Sequence, residues 1–266
     1  MEISESLQQL TGCFEEYVET YTSVNPAIQE NIDLKKDHTF RVRDIIVDIG
    51  QSVGLNRRAI YIAEACALLH DVGRFEQYRR YGTFFDAASE NHAAIGVRVI
   101  RKHDMLKNFP AEAEKIIIRT VGCHNLPSIS AKNNKDWVLF LKLVRDADKI
   151  DILHVVTEYY HSFACGANKT VELGLPDTPD ISDSIYNPII NGRLALTKNL
   201  KSLNDFKIYQ MGWIYDLNFP RSYNIVRERK YLKKLRKALP DFSEKADNVY
   251  NAASSFINEK LKCPSI

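Results

Sequence analysis

Apolar residues recur at helical spacing through almost the whole chain, and nowhere is there the sustained alternation of a half-buried strand. That single property restricts the 266-residue chain to an all-α fold. Over residues 3–22 the apolar positions Ile3, Leu7, Leu10, Phe14, Val18 and Tyr21 fall on one helical face. Asn25-Pro26 breaks that helix, and a turn-like stretch follows to about Lys36. Asp37 reads as the N-cap of a second helix, 38–53, with Val42, Ile45, Ile46 and Ile49 inward and Gly54 at its end. An Ala-rich helix, 57–70, closes on Leu68-Leu69-His70-Asp71, with Gly73 just beyond. Residues 74–90 carry Phe75, Tyr78, Tyr81, Phe84 and Phe85 without a clear period, and read as a loop laid over something.

Further helices are expected at 91–105, 111–123 and 136–163. Gly166, Gly174, Pro176 and Pro179 mark a loop over 166–182, the one place with room for a short hairpin. Residues 183–262 turn helical again, with breaks near Pro188, Gly212, Pro220 and Pro240. The resulting layout is an N-terminal helical extension (1–36), a central unit (37–165) and a C-terminal helical region (166–266) packing on it.

Composition removes several classes of function. With 45% hydrophobic and 26% charged residues the chain is neither disordered, collagenous nor a coiled-coil rod. No apolar run is long enough for a membrane span, so no membrane partner is expected. The polar start MEISESLQQLTG lacks the pattern of a signal peptide. Cys13, Cys66, Cys123, Cys165 and Cys263 are scattered and form no C-x-x-C, which argues against disulfides or a cysteine zinc site and fits a cytoplasmic protein. A net charge of +2 argues against nucleic acid as the main partner. One segment stands apart. Arg221, Arg227, Arg229, Lys230, Lys233, Lys234, Arg236 and Lys237 are opposed only by Glu228. A phosphate-rich ligand would suit it. A solvated amphipathic helix with Ile225, Tyr231, Leu232 and Leu235 inward is the favoured reading.

The chemistry lies in four histidines and two carboxylates. His38 and His92 open helices, His70 precedes Asp71, His124 ends a helix, and Asp146 sits among Leu141, Leu143, Val144, Ala147 and Ile150. A carboxylate or imidazole on an apolar helix needs a partner, because its burial is otherwise costly. Gathered from separate helices, these six satisfy one another around metal ions. Imidazole with carboxylate suits Zn, Mn, Fe, Ni or Co rather than Ca. Asp71 has two oxygens and can bridge two ions roughly 3.5–4 Å apart.

The ordered pattern His … His-Asp … Asp, in LLHDVGR and VRDADKIDIL, resembles the HD-domain superfamily of metal-dependent phosphohydrolases from about His38 to Asp151. The resemblance implies a helical HD bundle. It makes His38, His70, Asp71 and Asp146 the ligands of a first divalent metal, with Asp71, His92 and His124 on a second, the ions being one or two of Mn, Fe, Ni, Co, Zn or Mg. Arg74 stands where HD-GYP phosphodiesterases carry a phosphate-contacting lysine, and is expected to hold substrate phosphate or to cap the helix before it. Arg79, with Arg80, Tyr78 and Tyr81, is expected to contact substrate as a lid. Lys149, three residues after Asp146, is expected to hold Asp146 or reach substrate, and Asp148, about 200° round that helix, to be a structural partner.

Cys123-His124-Asn125-Leu126-Pro127 lacks the paired histidines and G-Y-P signature, which argues against a third metal and cyclic-di-GMP. Arg74 and Arg79 also stand where mononuclear nucleotidase members place acids. The implied activity is hydrolysis of a small, nucleotide-like phosphomonoester or phosphodiester by a metal-activated water. The alternatives are a diiron oxygenase acting on a small organic substrate, and a non-catalytic nucleotide sensor.

Overall fold

A computed structural model describes residues 3–129, 136–162 and 171–262. Cys165, Cys263 and the start of the expected loop at Gly166 lie outside the described residues. The described residues are helical and contain no strand, so the all-α expectation holds and the 171–182 stretch forms no hairpin. The chain divides into two compact units, Met1–Asp148 and Lys149–Ile266.

The first unit is built around α3 (Arg57–Leu69). Asn56 caps it, its side chain accepting from the Ala59 amide at 2.9 Å. Ala63, Ala65, Cys66, Ala67, Leu68 and Leu69 are all fully buried. Small side chains on every face let neighbours approach closely, and α3 packs against α1 (Ile3–Glu19), α2 (Pro26–Ser52) and α6 (Ala111–Cys123). His70 and Asp71 thus emerge from the end of the most enclosed helix of the unit.

Two sequence expectations change here. Residues 26–36 are not a turn but the first part of α2, which runs unbroken from Pro26. Asn25 is the N-cap, accepting from the Ala27 amide at 3.0 Å, and Pro26 occupies the first turn, where its missing N–H is harmless. Asp37 is therefore mid-helix, and the expected domain boundary at 36/37 falls inside α2. The apolar period fades because the inward stripe carries Asn31, Lys35 and His38 in place of aliphatic residues. Likewise Gly73–Tyr81 is helix (α4), followed by a 3₁₀ turn at Asp86–Ala88 rather than one long loop.

α4 lies against α5 (His92–Lys102) with almost no gap. A Cβ at Gly73 would sit 2.2 Å from the His92 carbonyl oxygen and 2.5 Å from the Gly96 amide nitrogen. Only glycine permits this approach, and it draws His92 towards Asp71. The unit closes with the first half of α7 (Trp137–His161), where Leu141, Leu143, Val144 and Ala147 are buried.

The second unit contains the rest of α7 with α8 (Asp183–Ile190), α9 (Leu203–Met211), α10 (Pro220–Glu228), α11 (Tyr231–Lys237) and α12 (Glu244–Lys262). α12 packs against each of α8 to α11. Pro188 lies in the last turn of α8, which ends at Ile190, near the expected break. The two compact units divide between Asp148 and Lys149, and the expected boundary at 165/166 lies outside the described residues. The basic segment is not one helix but two, α10 and α11, hinged at Lys230. That residue has φ +58°, a left-handed conformation that is unfavourable for a residue with a Cβ. The inward set was read correctly: Ile225, Tyr231, Leu232 and Leu235 are buried. No described helix is long and apolar enough to cross a membrane.

Candidate metal centre

Four imidazoles meet at Asp71. His38 comes from α2, His70 from the end of α3, His92 from the first position of α5 and His124 from the end of α6, and all are buried. Their Nε2 atoms converge as two pairs, His38–His70 at 3.3 Å and His92–His124 at 3.0 Å. The Asp71 oxygens divide between the pairs. Oδ2 is 3.6 Å from His38 Nε2 and 3.8 Å from His70 Nε2. Oδ1 is 3.4 Å from His92 Nε2 and 3.8 Å from His124 Nε2. Two groups able to hold an ion result, His38–His70–Asp71 and Asp71–His92–His124.

The protonation pattern supports cation binding. His70 Nδ1 lies 2.7 Å from the Ala67 carbonyl oxygen and His124 Nδ1 2.8 Å from that of Val121. A carbonyl only accepts, so each Nδ1 donates and each Nε2 carries a lone pair. His92 Nδ1 donates to the Asp86 carboxylate at 2.7 Å. The His92 and His124 lone pairs therefore face each other and need a cation between them. A second ring proton is not the answer. Burial, joined by the charges of His92 and His70, drives the His124 pKa down to about 3, and burial also lowers that of His92. Neutral imidazoles held by acceptors at Nδ1 are the usual dress of metal ligands.

The carboxylate beside the His38–His70 pair is Asp148, not Asp146. Asp148 Oδ1 is 3.2 Å from His38 Nε2 and 3.8 Å from His70 Nε2. Burial alone would raise its pKa, but the hydrogen bonds and charges of these histidines hold it well below the usual range. The two aspartates project about 200° apart, so α7 can turn only one to the histidines. Asp146 is fully buried elsewhere on the helix. Arg145, one turn before Asp148, donates to the carbonyl oxygens of His124 (2.9 Å) and Leu126, tying α7 to the end of α6.

Other expectations shift as well. Lys149 forms an ion pair with Asp216 at 2.7 Å. Arg79 pairs with Glu76 at 2.5 Å and lies over the Tyr21 ring at 4.2 Å, facing α1 rather than the histidines. Arg80 pairs with the same Glu76, and Tyr78 packs on Phe84 while accepting from Asn31. Tyr81, the remaining member of the group expected to form a lid, is exposed. Arg74 is at the site. Its Nε is 3.3 Å from Asp71 Oδ1, and Nη1 reaches Asp86 at 3.1 Å as well as the Phe84 carbonyl.

Sequence reasoning missed Lys35 and Asp86. Lys35 Nζ is 2.8 Å from Asp71 Oδ2 and lies over the Phe84 ring. Burial pulls the Asp71 carboxyl upwards, but Lys35 and Arg74, with His70 and His92, hold it well below the ordinary range. Asp86 accepts from His92, Arg74, Gln77 (2.8 Å) and Asn125 (3.2 Å), and stays ionised despite its burial. The spacing of Lys35 and His38, three apart on one helix, was the available signal for the lysine. For Asp86, in an aromatic stretch without a period, there was none. Asp86→Ala is expected to free the His92 ring and weaken the Asp71–His92–His124 site by about 10–100-fold. Titration of metal into wild type and variant, with one of two classes of site weakened, checks this.

Compared with protein families, residues 36–153 match the HD domain. That stretch is similar to the HD domain, a family of metal-dependent phosphohydrolases, and the His/Asp clusters within it fit an HD metal site. Against the curated proteins and the solved structures, no match is found.

Proposed function

We propose that the protein is a binuclear metal-dependent phosphohydrolase acting on a small, nucleotide-like phosphoester. The observation that carries this reading is Asp71, whose two oxygens address separate histidine pairs. His38, His70, Asp148 and Asp71 Oδ2 would hold one divalent ion, and His92, His124 and Asp71 Oδ1 the other. Bound ions would supply Lewis acidity and a water acidified towards neutral pH.

The chain's own residues define the rest. Asp86 locks His92 with Nε2 towards Asp71. Arg145 fixes the backbone of His124. Lys35 and Arg74 bring two cationic donors to Asp71, Arg74 being shared with Asp86, and such donors suit phosphoryl oxygens. Arg74 presents a planar fork, and Lys35 a point charge on a flexible stem. These two donors favour an anionic phosphoester over a neutral organic substrate.

Elemental analysis of gently purified protein, followed by a phosphoester screen, tests the proposal. About two non-iron divalent ions per chain and turnover of a phosphoester are expected. Lys35→Met should keep the metal and lower kcat/KM by about 10-fold or more, one charge-assisted hydrogen bond being lost. Two irons with O₂ consumption would transfer the protein to the oxygenases, and a single ion would reduce the site to a mononuclear one.

A further inference from the structure

The basic segment of the second unit is not accounted for by the metal centre. α10, α11 and α12 enclose a groove of about 280 Å³. Arg227, Lys230 and Lys233 line it, and no acidic side chain does. These cations differ from three others in the same segment, whereas Arg229 and Lys237, outside the groove lining, resemble them in having no carboxylate partner among the described residues. Arg221 pairs with Glu228, Lys234 with Glu158 and Arg236 with Asp247. Among the described residues none of the three groove cations has a carboxylate partner, and Arg227 is oriented only by Asn224 at 2.9 Å. The floor is apolar, made by Leu232 and Ile257. Tyr250, Ser254 and Asn258, four residues apart on α12, set a row of hydrogen-bonding groups along one wall. The left-handed Lys230 stands at the α10–α11 hinge, where a glycine would be easier to accommodate, and keeps its cation at the rim.

We infer that this groove binds a small phosphorylated molecule. Its phosphate or pyrophosphate would lie among Arg227, Lys230 and Lys233, its less polar body on Leu232 and Ile257, and its hydroxyls or amides along Tyr250, Ser254 and Asn258. Three uncompensated cations select a multiply charged anion. A short groove with an apolar floor suits a small ligand better than a nucleic-acid backbone, which asks for an extended track of charge.

The experiment is calorimetric titration of the full chain with inorganic pyrophosphate at physiological salt. It compares wild type with Lys230→Gly, with Arg227→Ala/Lys233→Ala, and with Asp71→Asn, which tests the other phosphate-attracting site. Glycine accepts the left-handed backbone, so Lys230→Gly retains the fold, and its melting temperature verifies that. The expected result is a pyrophosphate site that survives Asp71→Asn and weakens about 10-fold or more in each groove variant. Loss in Asp71→Asn with unchanged affinity in the groove variants would overturn the inference, as would no binding in any folded protein. Binding of a short single-stranded RNA through the same cations, undisplaced by pyrophosphate, would overturn it in favour of nucleic acid.

Discussion

Asp71→Asn is expected to strip metal from both halves of the centre at once. The substitution keeps the side chain's shape and replaces one oxygen by an amide nitrogen that donates and cannot ligate. Either orientation of the amide takes a ligand atom from one histidine pair and leaves the other a weaker, neutral oxygen. The loss of charge adds to this, because Lys35 and Arg74 would then stand beside a neutral group and oppose an incoming dication. Since partners that merely orient a ligand are worth 10–100-fold in affinity, removing the shared ligand should cost at least about 100-fold at each position, and hydrolysis with it. Elemental analysis read alongside far-ultraviolet circular dichroism checks the expectation. A helical variant retaining its full metal complement would refute the bridging role. His92→Ala, by contrast, should spare the His38–His70 half.

What could be read from residues alone follows from where burial and function agree. α3 and α6 were legible because their inward faces are wholly aliphatic or small, and α6 was bounded correctly at 111–123. The four histidines were legible because each lies at a helix end or interrupts an otherwise apolar pattern. The first part of α2 was illegible for the opposite reason. Its inward stripe carries Asn31, Lys35 and His38 towards the site, so the hydrophobic signal disappears where the helix becomes functional. α4 failed in the same way, since buried Gln77 and half-buried Arg74 hold the Asp86 turn in place of aliphatic packing. Asp86 belongs to a loop, and only three-dimensional proximity relates it to His92.

The pair Asp146 and Asp148 marks the sharpest division between pattern and geometry. α7 is enclosed on several sides: Phe140, Leu141, Leu143, Val144, Ala147 and Ile150 are all buried. Apolar neighbours therefore surround both carboxylates, and burial does not say which one faces the histidines. Asp146 is the more deeply buried, yet Asp148 is the one 3.2 Å from His38. This yields two opposed expectations. Asp148→Asn should remove about one ion per chain and most of the activity, because it takes the charged oxygen from the His38–His70 half while leaving the Asp71–His92–His124 half intact. Its melting temperature should move little, as the side chain is partly open to solvent and its neighbours are imidazoles able to accept water. Asp146→Asn should do the reverse, retaining both ions while losing about 1–3 kcal/mol of stability as a fully buried carboxylate's interactions are disturbed. Metal content and melting temperature, measured on both variants, separate the two roles without reference to any substrate. If Asp146→Asn loses the ion and Asp148→Asn keeps it, the carboxylate of the first site is Asp146, and α7 must sit on the centre rotated by about half a turn from the orientation that brings Asp148 to His38.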